Sequence, residues 1–228
     1  MFKPGRRRVS KPSQSTMKEN YLMCPECEAR IGLLERYMAN GFFKLYRNPS
    51  RIVEFPKSIA LSDRLEMINM PNINSDLFNL FSYSIFWRVA NSIEHYPNYN
   101  LPEDVNEELR QQLDLHISYE WNSIAIKSKG LSLQDKYPYD ITTCLENKKP
   151  EKNWLTARDY RSDRPSFIAA HEFHFFFYQS KRVYENTHQF SSDLSAPHIK
   201  VIAFTDWQAM IQEIRNGVLG NNDFSLSL

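Results

Sequence analysis

Glycine is scarce in this sequence of 228 residues. There are 6 glycines, whereas the average usage of about 7% would give roughly 16. None of them opens a G-x-G-x-x-G turn, a G-x-x-x-x-G-K-[ST] loop or a G-x-S-x-G elbow. Because these turns need bare backbone close to phosphate or at a sharp bend, the sequence disfavours a dinucleotide-binding turn, a P-loop and a nucleophile elbow.

Cysteines and long apolar runs are also few. The 3 cysteines are an odd number, and no apolar segment of a secretory signal follows the basic start of the chain. These features predict a cytoplasmic protein without a disulfide framework. The most apolar stretch, Leu77 to Ile93, contains Arg88 and several polar residues. We therefore expect no membrane span.

The formal net charge of +1 conceals an uneven distribution. Residues 1–50 carry a charge of +6 and the remainder carries −5. The first part of this basic segment is a candidate surface for nucleic-acid backbone or an acidic partner, and a solvated terminus is the alternative. The candidate binding residues are Lys3, Arg6, Arg7, Arg8 and Lys11. Without interleaved aromatic residues, such binding would be nonspecific and sensitive to salt.

The hydrophobic periodicity predicts an α+β protein. We expect a mainly helical body with an N-terminal zinc-knuckle-like element and a small C-terminal β-sheet followed by a helix. The predicted division is a basic segment at 1–50, with the knuckle-like element and one helix, and a helical body with a C-terminal α+β portion at 51–228. Residues 42–73 contain three prolines and are predicted to be irregular.

Helix signals are strongest at three places in the first half. One helix is predicted from Glu28 to Asn40, with Gly41 as the residue that ends it. A second begins at an Asn74 or Ser75 cap, and a third begins at Pro102. The third carries an apolar stripe of residues Val105, Leu109, Leu113 and Ile117.

The C-terminal third shows strand-like runs. Phe167 to Tyr178 is rich in phenylalanine, and Ile199 to Phe204 is almost wholly apolar. A last helix is predicted to open with the capping-box pattern that begins at Thr205 and to stop at Gly217.

Cys24 and Cys27 form a C-x-x-C pair just ahead of the first predicted helix. Two thiolates at this spacing can point at one tetrahedral zinc ion, and a helix N-terminus stabilises their charge. A zinc site needs about four ligands, but Cys144 is the only other cysteine and the first histidine is His95. Three interpretations stay open: a zinc site completed from elsewhere, a metal-free relic, and redox chemistry.

The run from Ser13 to Met38 reads S-x-x-x-M-K-E, then L-x-C-x-x-C-E-x-R, then E-x-x-M, and Ser84 to Arg88 reads S-I-F-W-R. This order of blocks, within about residues 5–95, resembles a bacterial family of HNH-like, treble-clef proteins. The family pattern has an earlier knuckle with a histidine segment, and this sequence begins after it. The resemblance implies either a partner polypeptide that supplies the earlier knuckle and histidine segment, or a module that only binds. It also implies a setting in bacterial antiviral defence.

His171, Glu172 and His174 form the second candidate site, as the catalytic residues of a metal-dependent nuclease. His188 and His198, in polar segments near Asp193, are candidates to join it, and structural histidines are the alternative. The Trp87-Arg88 pair is interpreted mainly as part of the fold, with tryptophan in the core and arginine paired with an acid or carbonyls.

Three functions are consistent with these patterns. The favoured one is a non-catalytic or partner-dependent HNH-like subunit that binds a protein or nucleic acid, with zinc as a candidate cofactor. The second is the metal-dependent nuclease with its site around residues 171–174. The third is a self-associating structural protein, in which aromatic surface and the cysteine pair mediate the contact.

Overall fold

The structure is a computed structural model, and it describes residues 23–46, 58–70, 73–92, 96–97, 99–117, 133–144, 155–158, 165–170, 172–187 and 197–219. None of the helices in these ranges is long and apolar enough to cross a membrane.

Four long helices are described, and their starts follow local signals. Helix α1 (Pro25–Met38) has a proline in its first turn, and helix α3 (Ser75–Asn91) is capped by the Asn74 side chain, which accepts a hydrogen bond from Leu77 N. Helix α4 (Glu103–His116) starts directly after Pro102, and helix α7 (Phe204–Leu219) ends the described chain.

Shorter helical segments connect these elements. A π-helix (Ala39–Phe43) and the short helix α2 (Lys44–Tyr46) continue α1 without a break. Two further short helices are α5 (Leu133–Lys136) and α6 (Lys181–Thr187).

The strands of the described chain form one mixed sheet. They are β1 (Ser58–Ala60), β2 (Leu65–Asn69), β3 (Tyr139–Thr143), β4 (Leu155–Arg158), β5 (Ser166–Ala170), β6 (Phe173–Phe177) and β7 (His198–Ile202). Their spatial order is β1-β2-β7-β3-β6-β5-β4. Only β3 and β7 pair in parallel among the described strands, and the remaining neighbours are antiparallel.

The sheet lies between two layers of helices. On one face, Ile141, Phe175 and Phe177 pack in the same core as residues of α1, α3 and α4. On the other face, Phe167 and Phe176 pack with α7. Because both faces of the sheet are covered, alternate residues of the central strands β3, β5 and β6 are buried on opposite faces, polar residues included.

The α+β class is confirmed, but the prediction of a small C-terminal sheet is wrong. The sheet has seven strands and spans the middle and C-terminal regions of the chain. Two of the strands, β1 and β2, lie within residues 42–73, which were predicted to be irregular. These strands are short, and β2 pairs with β7, whose residues lie far along the sequence. Local patterns do not report pairing of that kind.

Several predicted boundaries also change. The phenylalanine-rich run is an antiparallel pair of strands, β5 and β6, rather than a single strand. The helix at the C-terminus continues past Gly217 to Leu219. Gly41 does not end the first helix but lies inside the π-helix. A Cβ at this position would lie 2.9 Å from Ile73 Cδ1, so a larger residue would require the end of the Ile73 side chain to shift.

Candidate functional site

A groove of about 310 Å³ lies beside the N-terminus of α1, bordered by α3 and α4. Its apolar lining consists of Met23, Ile31, Trp87, Leu113 and Ile117. Ile31, Leu113 and Ile117 are buried, whereas Met23 and Trp87 are half-buried. Together with the polar lining residues Cys24, Cys27, Arg30, Arg110 and Asp114, these residues define the α1 groove.

The cysteine pair occupies one end of the α1 groove. Cys24 is the N-cap of α1, and its sulfur accepts a hydrogen bond from Cys27 N at 3.3 Å. The two sulfur atoms are 3.1 Å apart. Cys24 is exposed and Cys27 is half-buried, so the outer thiol faces solvent and the inner thiol lies behind it.

The two thiols have different acidities. The hydrogen bond between the thiols and the N–H of Cys27 lower the pKa of Cys24 below its ordinary value. The same contact between sulfur atoms raises the pKa of Cys27, and partial burial adds to this effect. A hydrogen bond and the positive charge of Arg30 act on the Cys27 pKa in the opposite direction. Cys24 is therefore the more acidic thiol of the pair.

Arg30 connects the cysteine pair to α4. Its Nη2 lies 3.3 Å from Cys27 Sγ and 3.3 Å from Asp114 Oδ1. Its Nη1 donates to the carbonyl oxygen of Ile117 at 3.4 Å. Contacts with two elements fix the guanidinium, and Cys27 consequently has a positive charge against its sulfur.

Zinc binding was the first interpretation of the cysteine pair. Two thiols supply half of the four ligands that a structural zinc ion needs. Within the described residues, no group of three or more His, Cys, Asp or Glu side chains could hold a metal ion. Arg30 also places a positive charge against Cys27. A dication bound there would lie beside this positive charge. The described residues thus do not fit a complete zinc site, and zinc stays a prediction that requires ligands from elsewhere.

The other predicted site residues are distributed differently. Lys3, Arg6, Arg7, Arg8, Lys11 and the nuclease candidates His171 and His188 lie outside the described residues, as does Asp193. His198 begins β7. Glu172 lies between β5 and β6 with 2% exposure, and His174 lies in β6 with 0% exposure. The nuclease hypothesis stays a prediction, with its two described side chains inside the protein.

His174 belongs to a buried polar row that crosses the sheet. The register places Thr142 of β3 opposite both His174 of β6 and Lys200 of β7. The His174 ring stacks on Trp207 of α7, with centroids 4.2 Å apart. Lys200 Nζ lies 2.8 Å from Asp140 Oδ1. Burial lowers the pKa of His174 to about 3, so the folded protein holds this ring neutral.

The buried histidine predicts a loss of stability in acid. Between about pH 6.5 and pH 3 the unfolded chain binds a proton at His174 that the folded chain excludes. The free energy of unfolding should therefore fall by up to about 1.4 kcal/mol per pH unit from this group as the pH decreases through that window. Urea unfolding of the wild type and of His174→Phe at pH 7.5, 6.5, 5.5 and 4.5 measures the difference in slope.

The variant should lose part of the acid sensitivity, because phenylalanine keeps an aromatic ring beside Trp207 but takes up no proton. His116→Gln changes a half-buried histidine on α4 and serves as the matched control. Parallel curves of stability against pH for the wild type and His174→Phe would contradict the assignment.

Trp87 and Arg88 separate into two roles. Arg88 pairs with Glu35 at 2.6 Å, and this ion pair ties α3 to α1. Arg88 also donates to the carbonyl oxygen of Ser84 within α3 at 3.2 Å. This agrees with a structural role for the arginine, although Glu35 is half exposed rather than buried. Trp87 lines the α1 groove instead of lying fully in the core.

Sequence reasoning missed the remaining polar residues of the α1 groove. Arg30 is three residues after Cys27, which places it one helical turn away on the same face. That spacing is a signal that the sequence offers. Asp114 and Arg110 are more than 80 positions from the cysteine pair, and no local pattern links them to it.

Comparison with models of protein families, with curated proteins and with solved structures finds no match to this chain. The resemblance to HNH-like proteins therefore rests on the sequence blocks alone and stays a prediction.

Proposed function

We propose that this protein is a partner-dependent subunit that binds a segment of another protein in the α1 groove. The observation that carries the proposal is the open apolar lining, where Met23 and Trp87 are half-buried above the buried Ile31, Leu113 and Ile117. An apolar floor with a few polar groups at its rim is typical of a recognition site.

The charges at the rim favour a protein partner over nucleic acid. Arg110 donates two hydrogen bonds of 2.7 Å to the Glu107 carboxylate. Arg30 is paired with Asp114. Nucleic-acid backbones are bound mainly by basic side chains that neutralise phosphates. A rim whose arginines are already paired with carboxylates suits a polypeptide with apolar side chains better. Nucleic-acid binding by Lys3, Arg6, Arg7, Arg8 and Lys11 remains a separate prediction.

The resemblance to HNH-like proteins suggests the identity of the partner. In this proposal the partner carries the half of the family pattern that has the first knuckle and the histidine segment. The α1 groove adjoins the C-x-x-C block that carries the resemblance. A partner in the groove would therefore lie beside that block. A setting in bacterial antiviral defence forms part of the same proposal.

A charge placed in the α1 groove should weaken partner binding. Met23→Glu puts a carboxylate on the half-buried apolar rim, and the desolvation of that carboxylate should weaken binding at least about tenfold, or roughly 1.4 kcal/mol. The test purifies the protein from its own organism at native abundance and measures the mass and stoichiometry of the complex by light scattering and mass spectrometry.

Leu115→Glu is the matched control, since Leu115 is on α4 with 61% exposure and does not line the α1 groove. The proposal predicts a complex of defined stoichiometry for the wild type and Leu115→Glu and its loss for Met23→Glu. A complex that survives Met23→Glu unchanged, or a wild-type protein found only as a monomer, would overturn the proposal. A complex made solely of copies of this chain would support the self-associating alternative instead.

A further inference from the structure

We infer that Cys24 and Cys27 form a redox-active dithiol that exchanges with disulfides, with Cys24 as the attacking thiol and Cys27 as the resolving thiol. This activity goes beyond the proposed binding function, because it needs no partner protein. Its substrates are molecules of the disulfide class, either small or carried on a polypeptide that enters the α1 groove.

The placement of the two sulfurs supports the inference. They are 3.1 Å apart, and a disulfide bond of about 2.05 Å therefore requires them to approach by only about 1 Å. A C-x-x-C pair with its first cysteine at a helix N-terminus is a known environment for reactive thiols, because backbone N–H groups stabilise the thiolate. Here the N–H of Cys27 points at Cys24 Sγ, at 3.3 Å.

The difference in exposure assigns the two roles. Cys24 is exposed at the mouth of the α1 groove, where an incoming disulfide can reach it. Cys27 is half-buried and lies behind it. Arg30 Nη2, 3.3 Å from Cys27 Sγ, stabilises the thiolate that Cys27 must form in order to resolve the intermediate. Asp114 and the carbonyl oxygen of Ile117 hold Arg30 in place against this sulfur.

The exchange balances in two steps. The Cys24 thiolate attacks one sulfur of the substrate disulfide, the substrate S–S bond breaks, and the first substrate thiolate leaves and takes a proton from water. Cys27, as a thiolate after giving its proton to water, attacks Cys24 Sγ. The Cys24–Cys27 bond forms, the mixed disulfide between Cys24 and the substrate breaks, and the second substrate thiolate leaves and takes a proton from water. Two electrons pass from the dithiol to the substrate disulfide, and a dithiol reductant returns the Cys24–Cys27 disulfide to the reduced form.

The test uses the full chain with the third, buried cysteine removed as Cys144→Ser, and oxidised glutathione as the disulfide. Mass spectrometry after acid quenching and alkylation should show an intramolecular disulfide with no lasting glutathione adduct. In Cys27→Ser a mixed disulfide should accumulate on Cys24, because the resolving thiol is missing. In Cys24→Ser the adduct should form at least about tenfold more slowly, because the remaining thiol is less accessible.

Arg30 provides a second readout. Arg30→Ala should slow resolution about tenfold and make the mixed disulfide detectable, while Arg30→Lys should restore part of the rate by keeping a positive charge near Cys27. Arg64→Ala is the matched control, since Arg64 pairs with Asp206 of α7 and does not line the α1 groove. Circular dichroism checks that each variant is folded.

Two results would overturn the inference. One is a wild-type dithiol that oxidised glutathione does not convert to the Cys24–Cys27 disulfide. The other is a zinc ion bound to the purified protein at one per chain and lost in Cys24→Ser and Cys27→Ser, since metal-bound thiolates are not available for exchange.

Discussion

Asp140→Ala should lower the free energy of unfolding by about 3 kcal/mol, because it removes one partner of a buried ion pair. Asp140 is 3% exposed, and its two carboxylate oxygens lie 2.8 Å from Lys200 Nζ and 3.1 Å from Tyr178 OH. The variant removes the carboxylate, so the mostly buried Lys200 ammonium group and the buried Tyr178 hydroxyl both lose a contact. Urea denaturation followed by tryptophan fluorescence and circular dichroism measures the loss.

Two further variants separate this cost from a general effect of removing an aspartate. Asp140→Ala combined with Lys200→Met should recover a large part of the loss, because the buried positive charge is also removed. Asp206→Ala disrupts the ion pair with Arg64, whose side chain is 72% exposed, and should cost no more than about 1 kcal/mol. Equal losses for Asp140→Ala and Asp206→Ala would contradict the assigned burial of the Asp140–Lys200 pair.

Phe86→Ala should cost about 4 kcal/mol, since it removes a large ring from the contact between α3 and the sheet. Phe86 is fully buried, and its ring centroid lies 4.9 Å from that of Phe177 and 6.0 Å from that of Tyr139. The neighbouring residue Trp87 lines the α1 groove, so the same contact positions α3 for the candidate site. Thermal and urea unfolding measure the change.

Leu115→Ala is the control for this loss. Leu115 is a large apolar residue with 61% exposure, and its truncation should change the stability by no more than about 0.5 kcal/mol. Phe86→Leu should fall between the two, because it keeps most of the buried apolar volume. If Phe86→Ala unfolds at the same urea concentration as the wild type, then α3 does not rest on the sheet as described.

The two candidate sites differ in what they can contact. The cysteine pair opens into the α1 groove, so its thiols can meet a substrate or a partner. Glu172 and His174 are buried, and His174 lies against Trp207. A metal site needs more ligands than the described residues supply, whereas the contact between two thiols and a fixed arginine favours thiol chemistry.

Helices α3 and α4 could be predicted from the sequence because their signals are local. Asn74 caps α3 as expected, and the predicted stripe of α4, with Val105, Leu109, Leu113 and Ile117, is buried. Cap residues, first-turn acids and apolar spacing act within one or two helical turns. By contrast, α1 continues through Gly41 as a π-helix, and no nearby residue signals this continuation.

The sequence by itself determined the α+β class through its hydrophobic periodicity, the lack of the glycine motifs of phosphate-binding turns, and the location of the C-x-x-C candidate site. The tertiary structure decided the seven-stranded sheet, the Asp140–Lys200 pair and the α1 groove. Each of these joins residues that are distant in sequence, such as Arg30 and Asp114. Their contact depends on how whole helices and strands pack, and this packing balances the burial of many side chains at once.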